Sequence, residues 1–230
     1  MGSSKFLSTL KKSSPSTPVT VDGGIEPLSY LGKRTICDTS GSVIPVQWTL
    51  VNTSGTATMG ITDGINKGVF LIANTGTKTE SNVSFNDIRN VDSGNFVGYM
   101  IFQVVVASNN SQHFGIADSK SVMPQLATGS NWVMILDDTA SDYQFSVKGS
   151  GSESKTATGV ITSTNKVSWK IENDGTTCKA SILAGGVWVL KASDTTNLPT
   201  VAMQPIFGLR DDALHTAHLQ LINAEFTNTS

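Results

Sequence analysis

From residue 167 the chain reads VSWKIENDGTTCKASILAGGVWVLK, with apolar and polar side chains in alternation. Val167, Trp169 and Ile171 fall on one parity; Ser168, Lys170 and Glu172 fall on the other. A period of two cannot lay an apolar stripe along a helix, whose period is 3.6, but it gives a strand one buried and one wetted face. Asn173-Asp174-Gly175 and Ala184-Gly185-Gly186 interrupt the alternation with residues that tolerate positive φ. The segment therefore predicts a meander of three antiparallel strands. Cys178 shares a parity with Ala180 and Ile182, which predicts a buried thiol, and Trp169 is assigned to the core. Trp188 has Leu190 on its own side and Val187 and Val189 on the other, so the pattern leaves it open to core or surface.

The same logic extends over the chain from residue 29. Val43 to Val51, Gly68 to Ala73, Asn95 to Ala107, Asn131 to Leu136 and Tyr143 to Val147 are rich in β-branched and aromatic residues and are bounded by turn formers. Tyr99 to Val106 is apolar on both parities, which predicts a central strand covered on both faces, the deepest in the fold. Val201 to Leu209 and Leu214 to Phe226 supply two more strands. In the latter, Leu219 and Leu221 compete with Leu214, Ile222 and Phe226 on the opposite parity, a switch that predicts a bulge. About a dozen strands with no helical crossover give an all-β fold, two antiparallel sheets packed as a jelly roll or related sandwich.

Residues 1–28 differ in kind, with Ser, Thr and Pro dominating before Gly23-Gly24 and Pro27. They read as an extended N-terminal arm, and residues 29–230 as one β-sandwich domain. Within the arm Phe6, Leu7 and Leu10 form a small apolar cluster followed by Lys11 and Lys12, a candidate docking segment that orders against a neighbouring subunit.

Charge narrows the partners. Sixteen basic residues face eighteen acidic ones, for a net charge of -2, and phosphate binding needs clustered Lys and Arg that the body lacks. Lys5, Lys11, Lys12, Lys33 and Arg34 motivate a shell subunit with a genome-holding arm, a third-ranked reading. No run of about 18 apolar residues is present to span a membrane as a helix. The first residues lack the apolar stretch of a secretory signal, so synthesis in a host cytoplasm is expected.

The search for chemistry finds little. Sandwich glycosidases set two carboxylates across a cleft, and Glu26, Glu80, Glu153, Glu172 and Glu225 stand apart, with no E-x-D-x-x-E run. Asp137, Asp138 and Asp142, and Asp211 with Asp212, are the acidic clusters; neither has the spacing of a calcium loop, and no metal or cofactor is expected. His113, His215 and His218 accompany no G-x-S-x-G elbow. The expectation is a chain that is not an enzyme.

Val167 to Phe226 carries VSWKIE, a Gly-Gly turn, GVWVLKASDTTNLPT and the closing pair QPIFGLR and HLQLINAEF. This series resembles the concanavalin A-like jelly-roll domains of bacteriophage structural proteins, over about a quarter of the chain. The resemblance implies a virion protein, a head or tail decoration subunit that assembles with other copies of itself and other virion proteins. The alternative is a carbohydrate-binding module for host-surface glycan, with Trp188, Asp194 and Asn197 as the candidate sugar contacts.

Overall fold

A computed structural model describes residues 20–21, 24–25, 34–37, 48–62, 68–73, 79–85, 91–106, 111–121, 131–138, 142–149, 151–162, 165–211 and 218–229. Every regular element among them is a strand: β1 (Thr20–Val21), β2 (Gly24–Ile25), β3 (Arg34–Cys37), β4 (Trp48–Ser54), β5 (Ala57–Thr62), β6 (Gly68–Ala73), β7 (Thr79–Phe85), β8 (Val91–Asp92) and β9 (Phe96–Val106). These are followed by β10 (Ser111–Ala117), β11 (Trp132–Asp138), β12 (Asp142–Lys148), β13 (Glu153–Ile161), β14 (Val167–Asn173), β15 (Cys178–Ala184), β16 (Val187–Asp194), β17 (Ala202–Asp211) and β18 (His218–Asn228).

Two antiparallel sheets form the sandwich. Sheet I runs β13-β12-β11-β10-β17-β7-β4, with β8 also on β17. Sheet II runs β16-β15-β14-β9-β18-β6-β5, with β3 also on β18. The small pair β1 and β2 falls within the expected arm; Phe6, Leu7, Leu10, Lys11 and Lys12 lie outside the described residues.

The core fills the space between the two inner faces. Trp48, Phe207 and Phe114 from sheet I, Phe102 from sheet II, Tyr143 from sheet I and Trp169 from sheet II form an unbroken aromatic series. Successive ring centroids lie 5.6, 6.1, 3.7, 5.8 and 5.8 Å apart. Phe102 and Phe114 stack face to face across the gap between the sheets, while Tyr143 meets both Phe102 and Trp169 edge-on. Offset and edge-to-face pairs contribute about 0.5–1.5 kcal/mol each beyond their buried area. The series therefore ties the layers together.

The expected meander forms as β14, β15 and β16. Trp169 pairs in register with Ile182, and Leu183 with Trp188. Gly185 and Gly186 sit at φ 59° and 82°, the left-handed pair that a two-residue hairpin turn requires. The bulge expected near the C-terminus is present: the pairing of β18 with β9 slips between Leu221 and Asn223. One extra residue there puts Leu221 on the same buried face as Ala224 and Phe226.

The strand expected to be deepest is corrected. β9 is central in its sheet, but Tyr99 is 43 % exposed. The strand buried along its whole length is β10, in the other sheet. Its neighbour β11 is buried from Trp132 to Asp137, and Ala117, Trp132, Met134, Leu136 and Ile206 make a second apolar cluster on the outer face of sheet I. An apolar run does not reveal which sheet will be covered twice.

Cys178 is fully buried, on the face of Ala180 as expected. Burial, with the charges of Asp194 and Asp174 adding to it, pushes its thiol up to about 12. A raised pKa favours the neutral thiol in the fold. Its contribution to stability is complete below the unfolded value of 9.0 and is lost as pH rises from there to about 12. In a Cys37→Ser background, a thiol reagent at pH 8 is expected to label Cys178 only on addition of denaturant; rapid labelling of the native protein would contradict this burial.

Candidate functional site

The outer face of sheet I is buried through β10 and β11, whereas on the outer face of sheet II side chains of several adjacent strands meet solvent. The pairing registers lay it out as a grid. One row crosses Trp188 on β16 and Leu183 on β15, with Ser168 on β14 next in that ladder and Ile101 on β9 beside it. The next row is Leu190, Ser181, Lys170, Tyr99 and Glu225. The third carries Ser193, Lys179, Glu172, Val97 and Thr227.

The first two rows carry four of the large apolar side chains that reach water; Ile161, Val187, Val189 and Val201, also exposed, lie outside them. Tyr99, Leu183, Trp188 and Leu190 are 43, 45, 37 and 56 % exposed. Tyr99 and Trp188 are brought together, ring centroids 5.5 Å apart and planes inclined by 48°. They flank a recess of about 120 Å³, whose other walls are Met100, Ile101, Ser168 and Leu183. Exposed aromatics and leucines grouped on one face, with charged residues bordering them, have the character of a binding surface.

The third row is charged but balanced by its surroundings, the second row and the β14–β15 turn. Lys170 meets Glu172 at 3.0 Å and Lys179 meets Asp174 at 2.8 Å. The hydrogen bond from Lys179, joined by those from Thr176, holds the Asp174 carboxyl well below the usual carboxylate range. Asp174 also closes the β14–β15 turn by accepting from the backbone N–H groups of Thr176 and Thr177.

The three sequence-expected sugar contacts separate. Trp188 stands in the exposed half of β16, whereas Asp194 ends that strand, six residues on and about 20 Å away at strand rise. Asp194 Oδ1 accepts from the N–H groups of Thr196 and Asn197 and from the Thr196 hydroxyl. Burial alone would raise its pKa, but the hydrogen bonds from Ser154, Thr196 and Asn197 outweigh it and the carboxyl ends below its ordinary value. Asn197 donates to Thr196 in the same turn. Tyr99, Ser168 and Leu183 had no place among the candidates. Each is unremarkable on its own strand, and the grid alone makes them neighbours of Trp188.

The other sequence candidates sit elsewhere. Asp137 is buried and accepts from Thr162, and Asp142 accepts from the Gly159 N–H. Among the described residues no group of three His, Cys, Asp or Glu side chains converges as a metal site. His113 is fully buried on the outer face of sheet I, its Nε2 2.7 Å from Asn82 Oδ1.

No family model and no curated protein matches this chain. Solved structures do. A Bacillus licheniformis beta-glucanase is 10 % identical, over 80 % of this chain and 94 % of its own, with a TM-score of 0.56. A Bacteroides ovatus mixed-linkage-glucan GH16 protein, in complex with its product, is 10 % identical over 84 and 99 %, TM-score 0.58. The exoplasmic/lumenal domain of VIP36, bound to Ca2+ and Man3GlcNAc, is 12 % identical over 86 and 89 %, TM-score 0.57. The fold is the concanavalin A-like jelly roll.

That finding overturns the expectation of a chain that is not an enzyme. Its fold is shared with solved glucanases, so the fold class is compatible with an enzyme. The expectation rested on a run along one strand, and in a sheet carboxylates meet across strands as well as along one. Two of the three hold a glucan product or a glycan in their solved structures, and none is named as a virion component.

Proposed function

We propose that this protein binds carbohydrate on the outer face of sheet II, with Trp188 and Tyr99 as the stacking surface. The observation that carries the reading is the pairing of these two half-exposed rings over a recess on the open face of the sandwich. A pyranose ring presents C–H groups on one face and hydroxyls at its rim. An aromatic ring buries the first while polar neighbours receive the second. Ser168 lies in the recess, and Ser181 and Lys170 occupy the adjoining row. Solved proteins of this fold that hold a glucan product or Man3GlcNAc support the choice of ligand class.

Glycan-array screening followed by titration of the hits tests the reading. Trp188→Ala is expected to weaken binding by about thirtyfold or more, as a central aromatic anchor does, while its half-exposed position limits the stability cost to about 1 kcal/mol. Asp194→Ala is expected to leave affinity unchanged and to cost about 1–2 kcal/mol of stability, because it removes a carboxylate that accepts three hydrogen bonds in the turn after β16. An array without hits, or a hit indifferent to Trp188→Ala, would remove the basis for this assignment.

A further inference from the structure

The walls of the recess narrow the class of sugar, an inference that rests on the carbohydrate reading above. At about 120 Å³ the recess is well under the roughly 300 Å³ at which pockets begin to enclose a drug-sized ligand. It receives one substituted ring edge rather than a length of chain. The 48° between Tyr99 and Trp188 points the same way. Two sugars in a straight chain would need two nearly parallel platforms, whereas inclined rings form the sides of a notch.

Inside the notch Leu183 and Ile101 meet the ligand, and Ser168 is the one hydroxylated aliphatic side chain. An unsubstituted pyranose edge carries a hydroxyl on almost every carbon. A hydroxyl pressed on Leu183 or Ile101 would lose its water and gain no partner, which is costly. A methyl group there gains from the same contact. Charge adds a second restriction: Lys170 and Glu172 neutralise each other at 3.0 Å, and Glu225 pairs in register with Tyr99 on the side away from Lys170. The surroundings give a carboxylated or sulfated sugar no net attraction.

We propose that the recess takes a single neutral pyranose bearing a methyl group, carried either by an acetamido substituent or by a 6-deoxy carbon. The ring stacks on Trp188 and the methyl group enters between Leu183 and Ile101. Matched pairs compare a methyl-bearing sugar with its hydroxyl-bearing counterpart. Titration calorimetry on the full chain would compare N-acetylglucosamine with glucose, and 6-deoxygalactose with galactose. The methyl-bearing member of at least one pair is expected to bind about tenfold more tightly, and the pair that shows it tells which carrier is used. Leu183→Asn, at an exposed position, is expected to bring the two members of that pair to equal affinity. Equal affinities within both pairs, with binding still lost in Trp188→Ala, would overturn the methyl assignment and leave the carbohydrate reading standing. Absence of binding to all four sugars together with an empty array would overturn both.

Discussion

Phe102→Ala is expected to lower the stability of the fold by about 4–5 kcal/mol, at the top of the range for a buried phenylalanine cut to alanine. Phe102 is fully buried, stacks on Phe114 at 3.7 Å and receives the edge of Tyr143 at 5.8 Å. Its partners belong to the opposite sheet. The truncation therefore opens a cavity between the layers as well as removing apolar contact, and no neighbour on its own strand can swing in to fill the gap. For a chain of this length that loss lowers the thermal midpoint by roughly 10–20 °C. Thermal and urea unfolding measure it, with Phe102→Leu expected to cost about half as much. A loss below about 2 kcal/mol would mean that the two sheets do not interlock as described.

Gly208→Ala is expected to cost about 3 kcal/mol or more, although it adds one methyl group to a strand, where alanine is ordinarily well tolerated. Gly208 lies on β17 between Asn82 of β7 and His113 of β10, its register partners on either side. The hydrogen bond between those two side chains, 2.7 Å long, passes over the glycine. A β-carbon built there would fall on Asn82 Oδ1, 2.6 Å from the Ser81 carbonyl oxygen and 2.7 Å from His113 Cε1. The carbonyl is backbone and cannot swing aside. Either the strands spread or the Asn82–His113 bond breaks, and overpacking and an orphaned buried polar group each cost about 1–3 kcal/mol. The midpoint is expected to fall by roughly 6–12 °C, and the ring signals of His113 in NMR should shift with it. An unchanged midpoint and unchanged His113 resonances would show that the glycine is not held under that bond.

How much of this was legible depended on the kind of signal. Strands rich in Val, Ile and aromatics announce themselves: GVFLIA is β6 from end to end, and the β14–β16 meander keeps both of its turns. β7 (TESNVSF), β10 (SQHFGIA) and β13 (ESKTATGVI) were not read as strands. Their Ser, Thr, Gln and Asn residues look like loop, and two of the three are nonetheless central. Polar side chains such as Asn82 and His113 satisfy one another across neighbouring strands, so they can line a buried face. That partnership is not written in either strand alone. Of the candidate site, Trp188 was visible as a tryptophan whose parity left it unassigned. Its tie to Asp194 came from nearness in sequence, which in an extended strand means distance in space.

Sequence by itself therefore determined the period-two strands, the two-layer class, the burial of Trp169 and Cys178 and the bulge in the last strand. Each of these follows from side chains a few residues apart on one chain segment. Tertiary structure alone decided which sheet is covered on both faces, and that Tyr99, Ser168, Leu183 and Trp188 surround one recess. Alternation tells that the two faces of a strand differ. What lies opposite each face depends on strand order and register, and those are settled by contacts between segments distant along the chain.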